Sequence, residues 1–413
     1  MKLLINKKLF LQSWVLAERS TSSSSSMSIL SSVLVKADRD KVTLQATDIR
    51  TSIICSASGV NVLEPGEAVF PVKIVSELFK KSPGEEFNLT VSDGKVILKA
   101  GRSKYNFSTY PVREFPSLPT SAGAELFCKL SVGELAEVIE EGTLAASSGE
   151  EFPLYLSSAN FQISSGRLNI VSTDTRRLAL SGSAVSESVD SDSALLPMKG
   201  IKEIQRILAS LNPEYMVEIL YDDAQFYFRA DNVEFTVRRV ESHFPAYEKI
   251  LPKNHLTTAV LDRGDLISAL ERVDVIVKDY NRMVILDIAR ENSFVMRGRA
   301  PDFGNAKEEI YADISGENLK IAVNSKFFME ALKVLRDPQV RLSFNGSSGH
   351  MVVKRADSEK FICLIAPINL TEDELNMGDT EPDSGDGITR PKSSGTQKTG
   401  STHHHRFSNC PRP

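Results

Sequence analysis

The polar side chains of Thr173, Asp174 and Arg177 are the closest approach to a catalytic cluster in the sequence. A hydroxyl beside a carboxylate and a guanidinium could bind and polarise a substrate. The same Thr-Asp pair occurs again at Thr47-Asp48, 126 residues earlier. A pair that recurs in this way indicates a structural turn. We therefore predict a turn here and no catalytic residues.

The histidines and the known short motifs give no support for an enzyme or a metalloprotein. Three of the six histidines lie together at 403–405, and His243, His255 and His350 are not spaced like metal ligands. Phosphate-loop, zinc-protease, hydrolase-elbow and dinucleotide motifs do not occur. We predict a protein that is not an enzyme, with no metal and no cofactor.

The cysteines and the apolar segments suggest a location. No two of the four cysteines lie within three residues of each other, so there is no CxxC pair. We expect them to be buried and reduced, which favours the cytoplasm. The first 17 residues faintly resemble a signal peptide, but residues 12–14 interrupt the apolar stretch, so we predict an amphipathic helix. No apolar run approaches the roughly 20 residues that would cross a membrane. The cysteines are Cys55, Cys128, Cys363 and Cys410.

The charge balance limits how this chain could bind nucleic acid. The 413 residues contain 49 Lys and Arg against 54 Asp and Glu, a formal net charge of −5. Proteins that bind nucleic acid with their whole surface are usually basic. Contact with DNA would therefore require a local basic patch or a topological link.

Internal repeats organise the chain. Three similar tetrapeptides end at Lys73, Lys199 and Lys326, with spacings of 126 and 127 residues. A Phe-Pro signature after each of the first two units adds Phe115-Pro116 and Phe244-Pro245. Repetition at a fixed period indicates tandem copies of one structural unit. We predict three copies of about 125 residues, consistent with two to four domains for this length.

Each copy has the same expected order of elements. Asn6, Ser131 and Asp262 are N-cap residue types that precede an apolar helical pattern. A second helix is expected after each lysine signature, at 74–81, 200–211 and 327–336, and short alternating strands lie between and after the helices. The predicted class is α+β, with domains at 1–122, 123–253 and 254–370. Residues 371–413, with seven acids and no base between Glu372 and Asp386, are predicted to be a disordered tail.

Three segments carry a family resemblance. Thr173-Asp174-Thr-Arg-Arg177-Leu178, Phe244-Pro245-Ala-Tyr247 and the end Cys363–Leu370 resemble signatures of the bacterial DNA polymerase III beta subunit, or beta sliding clamp, family. The resemblance covers residues 1–370 in order. It implies three clamp domains per subunit and a head-to-tail homodimer that closes a pseudo-sixfold ring around duplex DNA, with helices inside and sheets outside.

The resemblance also implies the partners. Members hold double-stranded DNA by topology, without sequence preference, and confer processivity on the replicative polymerase. The implied partners are the DNA polymerase III alpha subunit, the clamp loader and other proteins with a short Gln-x-x-Leu-Phe type motif. A degenerate clamp paralogue that binds proteins without loading on DNA is the alternative. The recurring basic helix face favours the first hypothesis, because a protein scaffold would not need it.

Basic residues recur on the second helix of each copy. If these helices face a common hole, that hole is positively charged although the protein as a whole is acidic. A positive hole suits a diffuse contact with nucleic acid that does not depend on its sequence. The alternative is that these residues merely solvate exposed helices, and that Phe327 packs in a core. The predicted DNA-binding residues, three of them (Tyr155, Asn324 and Phe327) by family position alone, are Lys73, Lys80, Lys81, Tyr155, Lys199, Lys202, Arg206, Asn324, Lys326 and Phe327.

The resemblance implies a pocket for a partner peptide. Leu, Ile and Pro walls would accept apolar anchors while polar groups set the direction of the peptide; the alternative is ordinary core. Ala366 stands where Met is usual and Asn369 where Arg is usual, so we expect altered partner preference. The predicted pocket residues are Leu156, Thr173, Thr175, Arg177, Leu178, Pro245, Lys249, Ile250, Leu364, Ile365, Ala366, Pro367, Ile368 and Asn369.

The subunit interface is the third implied site. Family position places residues of domain one against residues of domain three in the second subunit, and a head-to-tail contact closes a ring only if its rotation divides the circle. The same side chains could instead belong to the core of their own domain. The predicted interface residues are Lys104, Tyr105, Phe107, Val273, Val275 and Ile276.

Overall fold

The computed structural model describes residues 1–22, 26–149, 151–289 and 292–370. The first copy contains, in order, β1 (Lys2–Asn6), α1 (Lys7–Glu18), β2 (Ser32–Ala37), β3 (Val42–Thr47), β4 (Thr51–Ser56), β5 (Val60–Glu64), β6 (Gly66–Pro71), α2 (Val72–Lys81), β7 (Glu86–Ser92), β8 (Lys95–Ala100) and β9 (Ser103–Ser108). The second contains β10 (Glu125–Ser131), α3 (Val132–Gly142), β11 (Ser158–Ser164), β12 (Arg167–Thr173), β13 (Arg177–Ala184), β14 (Glu187–Ser188), β15 (Ser191–Pro197), α4 (Met198–Leu208), β16 (Met216–Tyr221), β17 (Gln225–Ala230) and β18 (Val233–Arg238). The third contains β19 (Thr257–Asp262), α5 (Arg263–Val277), β20 (Met283–Ala289), β21 (Ser293–Ala300), β22 (Gly304–Tyr311), β23 (Asp313–Gly316), β24 (Leu319–Asn324), α6 (Ser325–Val334), β25 (Gln339–Phe344), β26 (Met351–Arg355) and β27 (Phe361–Ile365).

The three copies share one order of strands and helices, so the predicted repeat and the α+β class are confirmed. The Ser-rich sequence at 19–32 predicts a loop after α1, and within it Ser28–Ser31 form a 3-10 helix. The predicted disorder of 371–413 concerns residues outside those described.

The helix starts follow from local capping. Each of Asn6, Ser131 and Asp262 accepts a hydrogen bond on its side chain from the backbone N–H three residues later, as their residue types predicted. The second helices begin two residues earlier than expected. Pro71 and Pro197 occupy the N-cap positions of α2 and α4, and each helix therefore starts directly at the end of a strand.

Antiparallel pairing gives four sheets among the described residues. Their strand orders are β5-β1-β7-β8-β9, β14-β10-β16-β17-β18-β4-β3-β2-β6, β15-β11-β12-β13-β27-β26-β25-β19-β23 and β22-β21-β20-β24. The two nine-stranded sheets run from one copy into the next, through the pairs β18–β4 and β13–β27. Because main-chain hydrogen bonds cross the copies, the domain boundaries stay a prediction.

The core lies between the helices and one face of each sheet. On β11, Ala159, Phe161 and Ile163 are fully buried, whereas Asn160 and Gln162 point to the opposite face. This alternation is that of a strand with one face on a core. The two helices of each copy pack side by side against the same core, so their other faces are left for contacts outside the domain.

Candidate functional site

The Thr-Asp pair forms a turn between β12 and β13. The Thr173 hydroxyl donates to the carbonyl oxygen of Arg177 at 2.7 Å, and Asp174 Oδ1 accepts from the Arg177 N–H at 3.0 Å. The turn after β3 makes the same two kinds of bond, through Thr47 and Asp48. The prediction that the repeated pair is structural is confirmed.

Arg177 joins this turn to the third copy. Its Nε donates to Asp174 Oδ2 at 3.0 Å, and its Nη1 pairs with Glu330 on α6. Its guanidinium lies 4.3 Å from the centre of the Phe327 ring, a cation–π contact. The side chain is nearly buried. Arg177 therefore holds the turn of the second copy against α6 of the third.

A cavity of about 250 Å³ opens beside this turn. Its walls come from the turn, from the segment after β18 and from β27, and most of its exposed lining is apolar. Such a cavity suits one or two apolar side chains held in an extended segment. The lining residues are Tyr155, Thr173, Thr175, Arg176, Arg177, Leu178, Phe244, Pro245, Tyr247, Ile250, His350 and Leu364.

Seven of the fourteen predicted pocket residues line this cavity. They are Thr173, Thr175, Arg177, Leu178, Pro245, Ile250 and Leu364. Ile365 does not, because alternation on β27 turns its side chain into the core of the third copy, where it is fully buried. Leu156 is also buried, and Lys249 is exposed beside the cavity rather than in its wall. Placing Ile365 in the pocket was wrong.

The segment after β27 leaves the cavity. The Ala366 N–H donates to the carbonyl oxygen of Arg176 at 2.9 Å, and the Ile368 N–H donates to that of Ala322 on β24 at 2.8 Å. These bonds hold residues 366–369 along the junction of the second and third copies. None of the four, including Pro367 and Asn369, belongs to the cavity wall.

Five wall residues were missed as pocket residues. Phe244 and Tyr247 belong to the Phe-Pro signature, and their rings pack edge to face at 6.1 Å. Arg176 lies inside the Thr-Asp signature. The sequence carries no signal for His350, which tertiary folding brings in from the loop before β26.

Tyr155 is the fifth, and it was assigned to DNA. Its ring packs edge to face on Phe244 at 6.0 Å and lines the cavity. Phe327 is half-buried against Arg177. Asn324 caps α6, its Oδ1 accepting from the N–H groups of Lys326 and Phe327. The structure shows these packing and capping contacts for all three residues, and their assignment to DNA stays a prediction.

The basic residues of the second helices are all exposed. On α2, α4 and α6 they occupy the side away from the buried residues, as amphipathic spacing requires. The exposed predicted residues are Lys73, Lys80, Lys81, Lys199, Lys202, Arg206 and Lys326.

Carboxylates engage part of this basic surface. Lys199 Nζ lies 2.7 Å from Asp48 of the preceding copy, Lys81 lies 2.6 Å from Glu77, and Arg206 pairs with Glu203. Burial alone would raise the pKa of Asp48, but hydrogen bonds from Lys199 and Thr51 lower it below its usual range. Of the predicted DNA-binding lysines and arginine on these helices, Lys73, Lys80 and Lys202 have no carboxylate partner within the described residues.

Two of the strands at the end of a sheet are β9 in the first copy and β22 in the third. β9 pairs only with β8, and β22 pairs only with β21, among the described residues. The Thr109 N–H bonds to the Gly94 carbonyl at 2.9 Å, and hydrogen-bonded pairs alternate along an antiparallel ladder. The N–H groups of Lys104 and Asn106 therefore point away from β8. On β22, the Ala312 N–H bonds to the Asn292 carbonyl. By the same alternation, the N–H groups of Lys307 and Glu309 point away from β21.

The predicted interface side chains divide between surface and core. Tyr105 and Phe107 are half-buried on β9, and Lys104 is exposed. On α5, Val275 is 63% exposed and Ile276 is half-buried, whereas Val273 is 0% exposed and packs in its own domain. Val273 was wrongly assigned, because its side chain faces the core of its own domain and not the exposed side of α5.

An ion network lies between the second and third copies. Arg355 on β26 pairs with Glu141 on α3, with Glu137 at 2.7 Å and with Asp337 at 2.6 Å. The Glu141 carboxylate is 2% exposed and accepts from the Ser181 hydroxyl at 2.6 Å. Burial raises the pKa of Glu141. Burial also acts on Glu137, but its bonds with Lys360 and Arg355 outweigh it and lower its pKa.

The described residues hold no group of three or more side chains placed to bind a metal ion. Burial raises the pKa of Cys55, Cys128 and Cys363 to about 12, so these thiols are unreactive. The fourth cysteine, at 410, lies outside the described residues. No described helix combines the length and apolar character needed to cross a membrane.

Comparisons with known proteins match the chain over the three copies described above. Domain models of the DNA polymerase III beta subunit match residues 1–119 (N-terminal), 129–246 (central) and 248–369 (C-terminal). The chain is 31% identical to the beta sliding clamp of Pseudomonas putida over 346 residues, covering 83% of this chain and 92% of that protein. It is 27% identical to that of Staphylococcus epidermidis over 350 residues, covering 82% and 92%.

Solved structures have the same fold. The DNA polymerase sliding clamp of Bacillus subtilis aligns with a TM-score of 0.84 at 25% identity, covering 90% of this chain and all of that one. The sliding clamp of Pseudomonas aeruginosa bound to griselimycin aligns with a TM-score of 0.85, also at 25% identity and the same coverage. With three repeated domains matched in order by all three domain models, this chain belongs to the bacterial DNA polymerase III beta subunit, or beta sliding clamp, family.

Proposed function

We propose that this protein is a sliding clamp, which encircles duplex DNA and tethers a replicative polymerase to it. The observation that carries the proposal is the pair of open strand edges, β9 in the first copy and β22 in the third. Unpaired edges invite another chain. Pairing β9 of one subunit with β22 of the other would join the five-stranded and the four-stranded sheet into a nine-stranded sheet, like the other two sheets. Two subunits joined head to tail in this way at both ends would close a ring.

The charges and side chains of the two edges support this pairing. Outward positions on β9 include Lys104, and those on β22 include Lys307 and Glu309. A register that places Lys104 beside Glu309 would pair opposite charges. Val275 and Ile276 on α5 supply apolar surface on the same domain as β22. The homodimer would then bury Tyr105 and Phe107 further.

The second helices carry the proposed contacts with DNA. Lys73, Lys80 and Lys202 have exposed ammonium groups without carboxylate partners in the described part of the chain. Such groups bind phosphates through counterion release, independently of sequence. A few contacts of this kind on an acidic body hold DNA weakly. Retention would depend on the closed ring, and the protein would slide.

The cavity beside the Thr-Asp turn is the proposed partner site. Its apolar wall would take the Leu and Phe anchors of a Gln-x-x-Leu-Phe type peptide, and Arg177 keeps the turn in place. The proposed occupants are the DNA polymerase III alpha subunit, the clamp loader and other proteins with this motif. The clamp itself would need no catalytic residue, and it would work in the cytoplasm beside the chromosome.

Topology is the property to test. The purified protein is loaded on nicked circular plasmid by a bacterial clamp loader with ATP and separated by gel filtration. We expect it to elute with the DNA and to be released when a restriction enzyme linearises the plasmid. A Lys73, Lys80 and Lys202 triple substitution by Gln should load less and leave the dimer intact. Equal loss from circular and linear DNA would refute the sliding function.

A scaffold that binds proteins without loading on DNA is the second candidate. The observation that favours it is the pairing of several basic side chains with carboxylates, such as Lys199 with Asp48 and Arg336 with Glu140. Binding of the peptide in the absence of any loading on DNA would select this candidate.

A further inference from the structure

A polar groove of about 700 Å³ adjoins the partner cavity and has no assigned role. It runs between the outer face of β11 and β15 and the segment 239–248. Phe244, Pro245 and Tyr247 line both spaces, so these residues form a shared wall between them. A peptide whose anchors fill the cavity would reach the groove with the residues on one side of its motif.

Asn160 offers the groove an amide without a protein partner among the described residues. Asn160 on β11 is only 7% exposed, lines the groove and makes no side-chain hydrogen bond within the described residues. Its neighbour Gln162 is satisfied, because its Oε1 accepts from the Tyr247 hydroxyl at 2.7 Å. The amide of Asn160 is not among the fully buried unpaired polar atoms, so it opens into the groove. A carboxamide offers one acceptor and two donors, which match the C=O and N–H groups of an extended main chain.

The charges in the groove favour a basic ligand. Its carboxylates are Asp223, Glu241 and Glu248, all exposed. Its cations are Arg239 and His243. Arg239 is already engaged, because its Nη1 donates to the Asp222 carbonyl at 3.1 Å and its guanidinium lies over the Phe226 ring. Because the three carboxylates outnumber the two basic side chains, the net charge of the groove is negative.

We propose that this groove is a second subsite for partner peptides, which binds a lysine- or arginine-rich flank next to the apolar anchors. Asn160 would bind the main chain of the flank, and the three carboxylates would attract its side chains. This inference rests on the proposed function of the cavity. The groove would add a determinant of specificity, because partners with the same anchor residues would differ in affinity according to the charge of their flanks.

The test uses fluorescent peptides and anisotropy. The core probe is Gln-Leu-Ser-Leu-Phe, and four extended probes carry three lysines or three glutamates at one end or the other. We expect lysines at one end to tighten binding roughly threefold to tenfold at low salt, with the gain lost at 0.5 M salt, and glutamates there to weaken it. No binding of the core probe would refute the proposed function of the cavity. Core binding with no effect of either flank would refute the groove alone.

Substitutions separate the two contributions. The triple variant D223N/E241Q/E248Q should lose the gain from lysines, whereas E67Q/E86Q/D302N, which changes the net charge equally at exposed sites in other copies, should keep it. N160A should weaken the binding of every probe extended at that end relative to the core probe, whatever the charge of the extension, with an unchanged circular dichroism spectrum. A lysine gain that survives both D223N/E241Q/E248Q and N160A would show that the flank binds elsewhere.

Discussion

Removing Arg355 should destabilise the junction of the second and third copies in a pH-dependent way. In the Arg355→Met variant, Glu137 keeps Lys360 and Asp337 is partly exposed, so the cost falls on Glu141, whose carboxylate is 2% exposed. Leaving an uncompensated buried charge costs about 3–5 kcal/mol. Glu141 can avoid part of this cost by taking up a proton.

Protonation of Glu141 sets an upper limit to the unfolding free energy that the Arg355→Met variant loses. For a carboxyl with an unfolded pKa of about 4.3, holding the proton costs about 3.7 kcal/mol at pH 7 and about 1 kcal/mol at pH 5. The folded pKa of Glu141 is already raised by burial. A raised carboxyl pKa gives stability that is complete below the unfolded pKa and is lost as the pH rises through the folded pKa. The variant should therefore lose about 2–3 kcal/mol more at pH 7 than at pH 5.

Urea unfolding at both pH values, followed by circular dichroism, measures the difference. Lys354→Met is the matched control, because Lys354 is also 12% exposed on β26 but its partner Glu359 is 66% exposed and stays solvated when alone. We expect the control to lose less than about 1 kcal/mol, equally at both pH values. The double variant R355M/E141Q should recover most of the loss at pH 7. An equal loss at pH 5 and pH 7 for R355M would refute the reasoning.

Three further predictions concern the interface, the cavity and the helix packing. Asn106→Pro removes an outward N–H from β9 and should convert dimer to monomer in light scattering, since proline is tolerated on an edge but cannot donate. Arg177→Ala should weaken binding of the core peptide about tenfold, because the turn loses its bonds to α6 and its contact with Phe327. Gly142→Ala should cost about 1–3 kcal/mol of unfolding free energy, because a Cβ there would lie 2.5 Å from the carbonyl oxygen of Ile170.

Each of these has a matched control. Asn106→Ala keeps the N–H and should remain dimeric; a dimeric proline variant would exclude β9 pairing. Arg177→Lys keeps the charge and should retain part of the affinity, and unchanged binding by the alanine variant would place the peptide elsewhere. Gly133→Ala lies on the same helix, but its Cβ would meet Pro213 only at 3.4 Å. It should be near neutral, and equal losses for both glycines would contradict the close approach of α3 to β12.

The sequence by itself determined the features that depend on neighbouring residues or on periodicity. The caps at Asn6, Ser131 and Asp262 followed from residue type, because a cap is satisfied within one helical turn. The Thr-Asp turn followed from its recurrence, since its hydrogen bonds close within five residues. Three copies with one order of elements followed from the spacing of the lysine signatures.

The tertiary structure alone decided which face of an element meets which neighbour. Ile365 and Leu364 are adjacent in sequence, yet one lies in the core and the other in the cavity wall, because strand residues alternate. Val273 and Val275 separate in the same way around α5. Tyr155 and His350 reach the cavity through long-range packing, which leaves no local pattern. The open edges of β9 and β22 depend on which strands pair, and pairing partners can lie anywhere along the chain.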